Sequence, residues 1–409
     1  MTTSVPSVEE RTSAGPLDHR FPCLDAFRGI GMLMVMLFHV HFTTRNPTSQ
    51  RRGVFGPFLA HGDVGVAMFL VLSAFLLFRP YFAAQLAARP PISARRFYRH
   101  RVLRIFPGYW LALTVVLVVF GISFAGPRQF LTFYGLFQAY GSGQVHLPQF
   151  QPIYQAWSLA VEVLFYLLLP LFAVLLRRWS TGRLPARQVR DALVCAGVIY
   201  IAGVAFRFWL LATKPRSAVL WLPNWLDVLA IGLVLAVVSA WSVHTGSTPG
   251  PIAWLTRRPA LCWLIAFGIF FVVTRLPVPS NPFQIAGKEY LVRQFCYGLF
   301  SAFFMLPAMF GDQHAGIIRR FLRHRVMVFL GRVSLGVYLL HLVFIRKAEQ
   351  WTGRTFFNAD FWTVLAIALP LTLAAGTLSY YIVERPFLLM KDRSPRAAMR
   401  TLFGRMVAP

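Results

Sequence analysis

LDAFRGIGMLMVMLFHV, residues 24–40, is an apolar run that carries an arginine and a histidine inside it. With its flanks it is long enough to cross a bilayer, which takes about 20 predominantly apolar residues in a helix. A charged side chain at membrane depth costs roughly 3 kcal/mol or more and is usually kept for a function. Arg28 and His39 are separated by three helical turns plus about 20°, so they share one face, about 16 Å apart along the axis. Asp25 precedes Arg28 by one turn and can pair with it on that face. The stretch reads as a polar seam with an anion-holding group at one end and a titratable group deeper in. A buried Arg–Asp pair beside a hydrogen-bonded core histidine would give the same pattern.

The rest of the chain extends that reading. Of 409 residues, 57% are apolar, 15% aromatic and only 13% charged, with a mean hydropathy of +0.58. This composition implies an all-α, polytopic integral membrane bundle. The net charge of +27 invites a nucleic-acid reading, but the basic residues sit in short loops between apolar runs, as topogenic charge does. Neither nucleic acid nor metal is therefore expected; the four cysteines, Cys23, Cys195, Cys262 and Cys296, lie far apart with no metal-ligand spacing.

Ten spans are expected, at 24–43, 63–83, 105–125, 157–177, 191–211, 220–241, 259–274, 292–310, 328–346 and 361–383. An eleventh would be added if FLTFYGLFQAY, 130–140, crosses instead of lying at the interface. Arginine-rich loops at 79–104, 177–190 and 319–325 put both termini in the cytoplasm. The expected organisation is a polar tail over 1–20 with no cleavable signal, a transmembrane domain over 21–386 and a basic tail over 387–409 on the inner leaflet.

Several motifs carry candidate chemistry. ARRFYRHRVLRIFPGYW, 94–110, is read as a cytoplasmic loop entering the third span, with Pro107 setting a turn. Its Arg95 and Arg96 read as topogenic charge. Arg101 and Arg104, one turn apart at the helix mouth, suit phosphate oxygens. QAWSLAVEVLFYLLLP, 155–170, places Glu162 about 8 Å below Trp157, at a depth compatible with His39, which it could orient. Tyr166 shares its face, Trp157 and Ser158 stand at the span's start as support, and Arg207 is an alternative partner for Glu162. Asp227 is a further intramembrane acid that could serve the site or pair with Arg207. LGRVSLGVYLLHL, 330–342, brings Tyr338 and His341 to one face, read mainly as core that can support the site. SYYIVERPF, 379–387, is read as structural, with Glu384 and Arg385 meeting the inner surface and Pro386 stopping the helix.

Together these motifs, with MFLVLSAFLLFRPY at 68–81, resemble the membrane-bound acyltransferase-3 family, which includes O-acetylases of bacterial envelope polysaccharides. The resemblance rests on six motifs in order across nearly the whole chain. One departure is Ala74, where the family pattern more often has glycine after the serine. The resemblance implies that Arg28 and His39 are an essential pair and that Arg101 and Arg104 serve acyl-CoA.

The function expected from residues and resemblance together is a plasma-membrane O-acyltransferase. It would move an acyl group, acetyl first among candidates, from cytoplasmic acyl-CoA to a hydroxyl of an envelope glycan or glycolipid. An arginine-rich chain fits an actinobacterial envelope, where a mycolate-bearing trehalose glycolipid is one candidate acceptor and antibiotic tailoring another reading. His39 would be the general base and Glu162 its support. A lipid or glycan transporter using Arg28, Glu162 and Arg207 as a path is the non-enzymatic alternative.

The topology is open to test. A cysteine introduced at position 142 should react with an impermeant maleimide from outside the cell, and one at position 183 should not. The reverse labelling would put Arg101 and Arg104 on the side that lacks acyl-CoA.

Overall fold

The computed structural model describes residues 21–44, 55–140, 153–213, 216–276, 287–354 and 359–391. The expected tail over 1–20, and the part of the 387–409 tail after residue 391, lie outside these residues. Among them, every regular element is a helix: α1 (Leu24–Thr44), α2 (Val64–Leu86), α3 (Ala94–Phe120), α4 (Trp157–Ser180), α5 (Pro185–Thr213), α6 (Leu226–Thr245), α7 (Pro259–Val273), α8 (Gly287–Met309), α9 (Arg325–Trp351) and α10 (Phe361–Ser379), with short helical turns between. All but α7 are long and apolar enough to cross a membrane. The fifteen residues of α7 reach about 22 Å, short of the hydrocarbon thickness. A short helix, Gly250–Thr256, joins it at a bend of 94°.

The stretch 130–140 does not add an eleventh span: it holds the end of an eight-residue helix, Pro127–Tyr134, and one 3₁₀ turn, Gln138–Tyr140. Two expectations change. The arginine-rich 94–104 stretch is not a loop. The Ser93 side chain accepts from the Arg96 N–H and starts α3 there, and the helix continues past Pro107 to Gly121, which ends it at φ 62°. Nor does Pro386 stop the last helix. A π turn, Tyr380–Glu384, leads into a further helical turn, Arg385–Leu389, where proline occupies the first turn and needs no N–H. Glu384 is buried within the bundle.

Lipid-like surroundings give helices little hydrophobic reason to associate, so close packing through small residues must supply it. Helix α2 packs along α6, and α9 lies between α1 and α10. A Cβ on Gly232 would come within 2.6 Å of the Ala74 Cβ, and one on Gly29 within 2.8 Å of the Leu330 Cβ. The first contact explains the Ala74 departure: the methyl added on α2 faces a glycine on α6.

Burial also settles Arg207 and Asp227, each 2% exposed. Arg207 Nη1 donates to Asp227 Oδ2 at 2.7 Å, and Nη2 donates to Asp227 Oδ1 and to the Asn224 carbonyl (2.6 Å). Tyr290 donates to Asn224 Oδ1 at 2.9 Å. This network clasps α5 to the start of α6. Removing one partner leaves an uncompensated buried charge, so Arg207→Met or Asp227→Leu alone should cost about 3–5 kcal/mol. The double substitution should cost less than the two singles summed. Thermal unfolding in detergent measures both, and strict additivity would contradict the coupling.

Candidate active site

Two cavities meet inside the bundle. The first is lined by Arg28, Ser73, Arg101, Arg104, Glu162 and Tyr166 among others. The second is lined by His39, Asp63, Gln155, Trp157, Arg293 and Arg346 among others. Val66 and Tyr338 line both. The shared face of α1 thus presents Arg28 to one cavity and His39 to the other.

In the arginine cavity, Arg28 Nη1 lies 2.6 Å from Asp25 Oδ1. Arg101 rests over the rings of Phe97 and Tyr166, its guanidinium carbon 5.9 and 5.8 Å from their centroids. Its Nε is buried without a hydrogen-bond partner. Neither Arg101 nor Arg104 forms an ion pair among the described residues. The carboxylate facing them, Glu162, accepts through Oε1 from both the Ser73 and the Tyr166 hydroxyls. Three guanidinium groups against two carboxylates, Asp25 and Glu162, leave the cavity electropositive and suited to phosphate oxygens. Arg95 and Arg96 are exposed, while Arg99 donates to the Met390 carbonyl at 2.8 Å.

The expected pairing of Glu162 with His39 does not form. The group on His39 is His341: its Nε2 lies 3.1 Å from His39 Nδ1, with ring centroids 4.8 Å apart. His39 Nδ1 also lies 2.9 Å from the Val35 carbonyl, and His341 Nδ1 lies 2.6 Å from the Tyr338 carbonyl. Carbonyl oxygens only accept, so the network assigns a proton to each Nδ1 when the rings are neutral. His39 Nδ1–H is then shared between Val35 and His341, which leaves the lone pair of His39 on Nε2.

Tyr338 and Ser158 form the partition between the cavities. Tyr338 donates to the Gln155 carbonyl at 2.8 Å, so the Ser158 hydroxyl, 2.7 Å away, is the donor to the Tyr338 oxygen. Trp157 stands in the wall of the histidine cavity. Asp227 does not join either cavity, being held by Arg207.

Sequence reasoning passed over Ser73 as a partner for Glu162, and over Asp63, Arg293 and Gln294. Arg293, one turn from Glu289 at the start of α8, reads in sequence as a span-end charge; it is 8% exposed.

The acyltransferase-3 family profile, described as an acyltransferase domain, matches residues 21–381. The chain belongs to that family. It is therefore a multi-pass membrane acyltransferase. It is 27% identical to acyltransferase MdmB of Streptomyces mycarofaciens, over 91% of this chain and 93% of that protein. It is 25% identical to nodulation protein 10 of Rhizobium leguminosarum bv. viciae, over 82% and 84% of the two chains. It is also 25% identical to the putative peptidoglycan O-acetyltransferase YrhL of Bacillus subtilis, over 92% of this chain but 56% of that protein. No solved structure matches it.

If the unpaired arginines hold the donor's phosphates, Arg101→Ala and Arg104→Ala should each weaken acetyl-CoA binding by about tenfold while leaving the protein monodisperse. Isothermal titration with acetyl-CoA and dephospho-CoA measures this. Unchanged affinity in both variants would leave these charges with a topogenic role alone.

Proposed function

We propose that the protein transfers an acyl group, acetyl in the first instance, from cytoplasmic acyl-CoA to a hydroxyl of an envelope glycan or glycolipid at the plasma membrane. The observation that carries this reading is the single face of α1, which presents Arg28 to one cavity and His39 to an adjoining one. The nucleotide phosphates would be held by Arg28, Arg101 and Arg104, and the extended pantetheine arm would run along the seam toward Tyr338. The span of about 16 Å between Arg28 and His39 suits such an arm.

In the chemical step the acceptor oxygen attacks the thioester carbonyl carbon while His39 Nε2 takes the hydroxyl proton. The tetrahedral intermediate then collapses: the C–S bond breaks, and the imidazolium returns its proton to the departing CoA sulfur. His341 supports the step by fixing the His39 ring through Nδ1, so that the basic nitrogen faces the cavity. Glu162 acts on the donor side, where it offsets part of the arginine charge and orders Tyr166 and Ser73. The O-acetyltransferase name carried by YrhL supports the choice of a hydroxyl acceptor. The transporter alternative loses one of its three stations, because Arg207 is fully engaged by Asp227 and Asn224.

His39→Ala should lower acyl transfer by about 10²–10⁴-fold, the range of a general base, with acetyl-CoA binding and monodispersity retained. His39→Gln is the sharper control, since it keeps a hydrogen-bonding side chain that cannot take the proton. Near wild-type turnover by the glutamine variant would end the case for His39 as base.

A further inference from the structure

The cavity beside His39 has a wall chemistry that limits what can occupy it. Arg293, Gln294 and Gln155 line it and are 8%, 3% and 2% exposed. Each holds a buried polar atom with no hydrogen-bond partner among the described residues: Arg293 Nε, Gln294 Oε1 and Gln155 Oε1. Arg293 has no ion pair among the described residues; its guanidinium carbon lies 5.6 Å from the Tyr290 ring centroid. Asp63 lines the same cavity, with its Oδ1 accepting from the Tyr297 hydroxyl at 2.5 Å. Beside these polar groups stand Trp157 and Trp225, ring centroids 5.2 Å apart, and the apolar side chains of Phe38 and Leu342.

Buried polar atoms in native proteins nearly always have partners, and those lacking one call for a ligand or water. A hydrocarbon chain filling this space would leave the guanidinium N–H and both amide oxygens stranded. A phosphate or carboxylate would suit Arg293 and Arg346, which also lines the cavity, but would face the Asp63 carboxylate and two amide lone pairs. A polyol answers both kinds of group at once: its hydroxyl oxygens accept from Arg293, and its hydroxyl protons go to Gln155, Gln294 and Asp63. The C–H face of a sugar ring matches the tryptophan pair, and an apolar aglycone matches the remainder of the wall.

We propose that this cavity is the acceptor subsite and takes an uncharged sugar ring bearing an apolar aglycone, with Arg293, Gln294 and Asp63 ordering the hydroxyls so that one meets His39 Nε2. This rests on His39 acting as the base. It narrows the acceptor from glycans in general to glycosides small enough to enter the bundle.

The test uses full-length protein in a detergent without a sugar head group, with radiolabelled acetyl-CoA as donor. The acceptor probes are octyl glycosides of glucose, galactose, mannose and rhamnose, with 1-octanol and the free sugars as controls. At least one octyl glycoside should be acetylated about tenfold or more better, in kcat/KM, than 1-octanol or its own free sugar. Arg293→Gln and Gln294→Leu should each raise the KM for that glycoside by about tenfold or more while leaving the KM for acetyl-CoA unchanged. The leucine variant keeps side-chain volume and answers any folding defect in the first. Equal use of 1-octanol, equal use of the free sugar, or an unchanged glycoside KM in both variants would overturn the subsite. His39-dependent hydrolysis of acetyl-CoA with no glycoside acetylated also overturns it, yet leaves the transferase reading standing. Absence of any acetyl-CoA turnover overturns that reading, and the subsite with it.

Discussion

A guanidinium group inside a membrane bundle has five N–H donors and no water to receive them, so each buried arginine must find oxygen from the protein or from a ligand. The arginines of this bundle divide by that rule. Arg207 is filled by Asp227 and Asn224. Arg319 is filled by carbonyls, with those of Pro307, Thr256 and Phe310 at 2.8, 2.9 and 3.1 Å. Both tie segments together and neither lines the two large cavities. Among the described residues Arg101, Arg104 and Arg293 have no oxygen partner, and all three line those cavities. Partners thus separate Arg207 and Arg319 from Arg101, Arg104 and Arg293, while Arg28 lines a cavity and keeps Asp25 as a partner.

The arrangement depends in turn on how closely backbones approach. Helices α1 and α9 cross where Gly29 meets Leu330 and Gly331 meets Asp25. Side chains at that crossing would push the helices apart by about the width of a methyl group or more. The pair His39–His341, about two and a half to three turns farther along both helices, has only 3.1 Å between its nitrogens. Packing at one end of the crossing thus sets a hydrogen bond at the other. The π turn at Tyr380–Glu384 works on the opposite side of α9, where Glu384 packs against Gly108 and Gly336.

Ten helices and their order were legible in the sequence because apolar runs of bilayer length have few alternatives. The face shared by Arg28 and His39 was legible for the same kind of reason, since helical period fixes relative azimuth within one helix. The pairing of Glu162 was not. Depth along α4 can be counted from Trp157, but rotation of α4 against α1 cannot, and rotation is what turned Glu162 toward Ser73 and Tyr166. Asp227 shows the same limit: its two candidate roles differ only in which neighbour α5 presents, and α5 presents Arg207. Hydrophobic pattern also overstated the loop before the third span, because a stretch with five arginines reads as loop although Ser93 caps it as helix.

The partition between the cavities bears on where charge can be stabilised. Tyr338 has a single hydroxyl proton, and the Gln155 carbonyl takes it; its oxygen already receives the Ser158 hydroxyl. Gln155 Nε2 is spent on the Leu339 carbonyl at 2.5 Å. The two hydroxyls have no donor left for a tetrahedral oxyanion, and Gln155 keeps one further amide N–H, although all three stand where donor and acceptor halves of the seam join. They shape the passage without changing its charge. The described cations lining the histidine cavity are Arg293 and Arg346, the second of these also lying near the Phe120 ring at 5.8 Å. An oxyanion formed near His39 in a water-poor site would need one preorganised donor of this kind. The same Arg293 that answers a sugar hydroxyl in the ground state is therefore one of two arginines whose reach, rather than whose charge, decides whether it touches the reacting carbonyl.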